Sequence, residues 1–140
     1  MSTLYEYLDH TGDLGIRAYG GTLEELFTNA AQGLFETIAV LETIGEAVQT
    51  PIDVSAESVA DLMVAWLDAL NFRHEVDEVF FRRVEIQELS ETQLSAIAYG
   101  EPKDFTKHVV YTEIKSVTYH QLRVERTPEG GWEAQVIFDL

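Results

Sequence analysis

Leu14-Gly15-Ile16-Arg17-Ala18-Tyr19-Gly20-Gly21-Thr22-Leu23-Glu24-Glu25-Leu26-Phe27 changes its hydrophobic period part-way along, and that change decides the fold class. Up to Tyr19, the apolar residues Leu14, Ile16 and Ala18 alternate with Gly15, Arg17 and Tyr19, the period-two pattern of a strand with one apolar face. Gly20-Gly21 interrupts the alternation. Thr22, with Glu25 three residues later, makes a capping box, in which hydroxyl and carboxylate satisfy the first free N–H groups of a helix. Beyond it, Leu23, Leu26, Phe27, Ala30, Ala31, Leu34, Phe35 and Ile38 recur at the i, i+3, i+4, i+7 spacing of one amphipathic helix. Strand and helix therefore sit side by side in the chain.

Working outward, residues 4–8 read as a strand before this stretch, joined to it through an Asp-His-Thr-Gly-Asp turn. Downstream, residues 46–54 place Val48, Ile52 and Val54 on one side of a strand, and Pro51 confines it to a sheet edge. Ser55 is positioned to cap a second helix, whose stripe Val59, Leu62, Met63, Trp66, Leu67 and Leu70 runs to about Arg73. From Val79 the period returns to two. Strands are expected over 79–89, 92–99, 109–124 with a break, and 132–138. In the last, Trp132, Ala134, Val136 and Phe138 alternate with Glu133, Gln135, Ile137 and Asp139. Thr127-Pro128-Glu129-Gly130-Gly131 has the chemistry of a hairpin turn, and Gly100-Glu101-Pro102-Lys103-Asp104 is an irregular separator. The expectation is an α+β fold forming a single domain over residues 1–140. Both helices should pack on one mixed, mostly antiparallel sheet, since each has one apolar stripe to bury.

Composition sets the limits on function. The chain has 140 residues, with 9 Lys+Arg against 25 Asp+Glu, so its formal charge is 9 − 25 = −16. Hydrophobic residues make up 46% and aromatics 11%, which supports a packed core rather than disorder. Cysteine is absent, which removes disulfides, thiolate metal sites and cysteine nucleophiles together. Nucleic-acid binding draws its affinity from Lys and Arg on phosphates, so direct RNA or DNA binding is not expected of so acidic a chain. Anionic membranes are disfavoured for the same reason. Neither a signal peptide nor an apolar run of spanning length is visible, and the expected location is the cytoplasm.

No glycine-rich nucleotide loop, no Gly-x-Ser-x-Gly elbow and no helical pair of histidines is present. Two places remain. Asp9-His10-Thr11-Gly12-Asp13 concentrates two carboxylates and an imidazole in one turn. At the other end, a strongly patterned strand delivers Asp139 beside the Leu140 α-carboxylate, and two such anions need neutralising. A hard cation with oxygen ligands is one answer. An ion pair with Lys115, Arg17 or Arg123 is the other. An acid–base set of Asp9, His10 and Asp13 in a hydrolase is a third reading, but no nucleophile or phosphate cradle accompanies it.

Read together, several segments resemble the archease family. They are Tyr7-Leu8-Asp9-His10-Thr11-Gly12-Asp13 with residues 16–20, Gly100-Glu101-Pro102, Lys107-His108, Thr112-Glu113-Ile114-Lys115-Ser116-Val117-Thr118-Tyr119-His120, and Val136-Ile137-Phe138-Asp139-Leu140. The likeness spans essentially the whole chain. Gly12 and Ser116 stand where the family usually has alanine, and Ala65 where an acidic residue is common. The resemblance implies a non-catalytic accessory protein that activates an RtcB-type RNA ligase in tRNA splicing and RNA repair. Such a protein promotes guanylylation of the ligase from GTP and allows multiple turnover. It also implies a divalent cation, calcium by preference with magnesium or manganese as substitutes, held by Asp13, Asp139 and Leu140. Asp9, His10, Lys115 and His120 would contact the partner or support the metal ligands. A general chaperone acting through exposed apolar surface is the alternative.

Overall fold

The computed structural model describes residues 4–10 and 13–140; the side chains of Asp9 and His10 also lie outside the described part, so the reading of the turn at 9–13 is covered only in its backbone at residues 9, 10 and 13. The alternation at Leu14 becomes β2 (Asp13–Gly20), paired antiparallel with β1 (Tyr5–His10). Ile16 and Ala18 are buried on its inner face, as the period requires. Gly20 ends the strand where a Cβ would come within 2.4 Å of the Leu26 backbone nitrogen, so only glycine lets strand and helix meet this closely.

Helix α1 (Leu23–Ile38) starts as the capping box demands: the Thr22 hydroxyl accepts from the Glu25 N–H at 3.1 Å. The Glu25 carboxylate returns to the Gly21 N–H at 2.9 Å, one residue earlier than the usual reciprocal bond. Its buried residues, Leu26, Phe27, Ala30, Ala31, Gly33, Leu34, Phe35, Thr37 and Ile38, cover more than a stripe. At 3.6 residues per turn they sweep roughly 200° of the helix circumference. That breadth has a topological cause.

There are two sheets rather than the single one expected. One runs β1-β2-β8-β6, with β7 also pairing β8; the other runs β3-β5-β4, and every pair is antiparallel. Their strands are β3 (Val48–Ser55), β4 (Val79–Leu89), β5 (Gln93–Pro102), β6 (Ser116–Val117), β7 (Arg123–Arg126) and β8 (Trp132–Asp139). Helix α1 packs on β2 of one sheet and on β4 of the other, which explains its wide buried arc. Helix α2 (Val59–Val76) touches α1, β3, β4 and β6, and the Trp66 indole N–H donates to the Phe27 carbonyl at 3.0 Å across the helix pair. Trp66 and Phe27 are fully buried, each contributing about 1.5–3 kcal/mol of hydrophobic stabilisation.

Other expectations fared differently. β3 is an edge strand with Pro51 exposed and Ile52 buried. The cap of α2 is Ser58, not Ser55: Ser55 still pairs with Gln93, and the Ser58 hydroxyl accepts from the Asp61 N–H at 3.1 Å. The stretch 109–124 is mostly not strand. Only β6, the start of β7 and a single bridge from Val110 to Ala39 are extended pairs. The rest is an irregular connection tied down by individual contacts, including the Asn71 amide donating to the Ile114 carbonyl at 2.9 Å. β8 is a central strand between β2 and β6–β7, and its residues 134–138 are all buried, so the clean alternation does not translate into an exposed face.

Candidate functional site

Three chain segments meet at one end of the larger sheet. β2 begins at Asp13, and the antiparallel register sets Asp13 directly opposite Asp139 near the end of β8. On its other side, Asp139 pairs with Ser116 of β6, and the Lys115 backbone N–H donates to the Asp139 carbonyl at 2.8 Å. One step inward, the Thr118 N–H and hydroxyl both donate to the Ile137 carbonyl, at 3.0 and 2.9 Å. Leu140 packs its side chain against the core. The strand end is thus pinned from both sides.

Residues directly opposite in an antiparallel pair project to the same face with Cβ atoms about 4.5–5.5 Å apart, and like charges there repel. The three cationic side chains considered as neutralisers are occupied elsewhere or not paired here. Arg17 lies 3.6 Å from Glu6 and 3.3 Å from Glu133, and donates to the Gln135 amide oxygen at 2.9 Å. Arg123 pairs with Glu125 and Glu133. Lys115 is exposed, and its described bond to the site is through its backbone. Among the described residues, no ion pair includes Asp13 or Asp139. His120 is exposed in the turn after β6, its N–H donating to the Thr118 hydroxyl at 3.3 Å.

Hard-oxygen donors of this kind fit a divalent cation. The described residues hold no group of three or more His, Asp or Glu side chains suited to a metal, so the available donors are two side-chain carboxylates plus main-chain oxygen at Leu140. Asp9 precedes His10, whose backbone pairs with Asp13, so the turn borders the same strand end.

A second polar cluster escaped sequence reading as a unit. Glu101 accepts from the Gly45 N–H at 2.8 Å, from the His108 ring at 2.6 Å and from the Lys107 ammonium at 2.8 Å. Lys107, the Gly45 N–H and His108 hold its carboxyl far below the usual range, at about 2. The His108 Nδ1 accepts the Asp104 N–H at 3.0 Å, so its Nε2 carries the proton donated to Glu101. Buried His74 has acceptors at both ring nitrogens, the Val79 carbonyl at 2.6 Å and Glu113 at 3.2 Å. These two histidines anchor the 103–115 connection to β4, β5 and α2. The signal in the sequence was the closeness of Gly100-Glu101-Pro102 to Lys107-His108; the third partner, Gly45, lies too far along the chain to be paired by inspection.

The comparisons with known proteins agree over the whole chain. The model of the archease protein family (MTH1598/TM1083) matches residues 5–140. The chain belongs to the archease family. Archease of Methanosarcina mazei is 40% identical over 140 residues, covering 97% of this chain and 95% of that one. Archease of Methanopyrus kandleri is 34% identical, covering 97% and 99%. Among solved archease-like structures, protein 1598 of Methanobacterium thermoautotrophicum superposes with a TM-score of 0.80 at 33% identity, covering 98% of this chain and 99% of that one. An archease of Thermotoga maritima, described as a possible chaperone, shares the fold with a TM-score of 0.66 at 20% identity over the full length of both chains. The α+β architecture is therefore the archease architecture. Among the described residues no helix is long and apolar enough to cross a membrane.

Proposed function

We propose that this archease is an accessory protein that activates an RtcB-type RNA ligase in tRNA splicing and RNA repair, acting through a divalent cation held by Asp13, Asp139 and the Leu140 carboxylate. The observation that carries this reading is the register of β2 on β8. It sets two carboxylates opposite one another, with no cationic side chain of the described residues paired to either. When bound, calcium or a similar hard ion supplies positive charge and open coordination positions for phosphate oxygens. The chain's own contribution is to hold the donors still. β1 and β2 fix Asp13, while β6 and the Lys115 N–H fix the backbone of Asp139. The net charge of −16 disfavours RNA and favours a basic protein partner. Lys115 and His120, both exposed, would contact that partner, and Asp9 and His10 of the Asp-His-Thr-Gly-Asp segment would join them.

The test is ligase guanylylation at limiting GTP and defined calcium, with and without this protein. Asp13→Ala and Asp139→Ala should abolish stimulation while leaving the circular dichroism spectrum unchanged. Stimulation at the wild-type level by either variant would overturn the reading. The second reading, a general chaperone, rests on exposed Phe72 and Phe105, 55% and 70% accessible, which offer apolar surface to a client. Suppression of client aggregation that survives Asp139→Ala, together with no effect on the ligase, would favour it.

A further inference from the structure

A cleft of about 540 Å³ opens between the last turn of α1, the 40–42 segment and Tyr111, on the face of β2 that carries Leu14. Tyr7 and Tyr111, 46% and 66% exposed, stand in its wall beside Glu36 and Glu42. Among the described residues, no Lys or Arg lines it.

Three kinds of negative charge meet there. Glu36 is half-buried, and its hydrogen-bond donors are neutral, the Tyr5 hydroxyl and the Gln32 amide. Glu42 is exposed, and among the described residues neither glutamate enters an ion pair. Arg82 and Arg83 share an adjoining pocket with Glu36 and Glu42, but Arg82 donates to the Ile44 carbonyl and lies by Glu46, and Arg83 is bonded to Glu46 and Glu85. The last turn of α1 carries no basic residue, so the negative end of its dipole is uncompensated by side chains. Tyr111 sits on that end, its N–H donating to the Ile38 carbonyl at 2.8 Å. The ring faces of tyrosines add the negative side of the aromatic quadrupole. Tyr5, edge-on to Tyr7 at 5.8 Å, buttresses the ring from the core side.

The molecule satisfies the same arrangement elsewhere with one of its own side chains. The Arg83 guanidinium lies 4.1 Å over the Tyr99 ring and bonds Glu46 at 2.8 Å and Glu85 at 2.7 Å. The cleft has the tyrosines and the carboxylates without the arginine. A metal ion would use the carboxylates but not the tyrosine faces, Leu14 or Val40. A lysine ammonium is strongly hydrated and has no plane to stack. A guanidinium is planar, weakly hydrated and forked toward carboxylates.

We propose that this cleft receives an arginine side chain from a basic segment of a partner protein, stacked on Tyr7 or Tyr111 and paired with Glu36 and Glu42. The inference stands apart from the cation reading of the tip, although Leu14, next to Asp13, lets one partner cover both.

The test is an NMR titration of the 15N-labelled protein with the tripeptide Ac-Gly-Arg-Gly-NH2, with lysine and citrulline in place of arginine as comparisons. The arginine peptide should shift the amide resonances of Leu14, Thr37, Glu42 and Tyr111, binding about fivefold tighter than the neutral citrulline peptide, the order expected of a cation–π contact. Glu42→Gln and Tyr111→Leu, both at exposed positions, should each weaken it about threefold with the fold unchanged. Asp139→Ala should leave it unaltered, which separates this result from any failure of the metal tip. Equal binding of the citrulline peptide, shifts confined to other surfaces, or no loss in either cleft variant would overturn the proposal.

Discussion

Glu101 and the pair Asp13–Asp139 are all acidic side chains on strands, yet their surroundings are opposite. Glu101 is saturated by donors: an ammonium, an imidazole N–H and a backbone N–H converge on one carboxylate. Asp13 and Asp139 face one another across a strand pair, and no cationic side chain of the described residues pairs with them. Charge that is fully partnered within the chain stabilises the chain. The difference separates an acid whose charge is met within the fold from a pair whose charge no cationic side chain of the described residues meets.

The largest expected effect falls on the saturated side. Glu101→Ala leaves His108, 5% exposed, and the Gly45 N–H without their acceptor, and buried donors left unpaired are destabilising. Thermal denaturation should show a fall in Tm larger than for any substitution at Asp13 or Asp139; an unchanged Tm would break the comparison. The pH dependence sharpens it. A carboxyl held at about 2 in the fold, against an ordinary 4.5, stabilises the protein fully above the ordinary value. That contribution is lost as pH falls from 4.5 toward 2, so the gap in Tm between wild type and Glu101→Gln should be full near neutrality and close within that window. Asp104, held low by the Thr106 hydroxyl and N–H, adds to the same acid limb in both proteins.

The next effect belongs to the unpartnered pair. Calcium at a hundred times its Kd should stabilise the wild type by about 2.7 kcal/mol through mass action, and EDTA should reverse the gain. Asp139→Asn should lose this response. A calcium-dependent rise in Tm that persists in the variant would place the ion elsewhere. The smallest effect has the opposite sign. In metal-free buffer, Asp13→Asn removes a directly opposed like-charge contact and should raise stability by about 0.2–1 kcal/mol, measured by urea unfolding. Destabilisation instead would mean that Asp13 has a stabilising partner within the chain.

Much of this molecule was legible from local pattern. The switch of period at Gly20-Gly21, the Thr22–Glu25 cap, the edge strand marked by Pro51 and the Thr127–Gly131 turn all depend on residues within a few positions of one another. The exceptions were also physical. Residues 109–124 have the β-branched and alternating look of a strand. Most of them find no ladder partner and are held by side chains such as Asn71, bonded to Ile114, and His74, bonded to Glu113. Ser55 looked like a cap because hydroxyls serve at helix starts, but β3 still claimed it through Gln93.

The sequence by itself determined the α+β class, the two helices and which of their faces are apolar, because helix and strand periods are properties of short windows. It also singled out Asp13, Asp139 and Leu140, by their chemistry and by the archease resemblance. Only the tertiary structure decided that α1 serves two sheets, and that distant Gly45 caps the Glu101 carboxylate. It alone set Asp13 opposite Asp139, from the two ends of the chain. Those are long-range pairings, chosen by how strands register and helices bury area against them, and no local window contains that information.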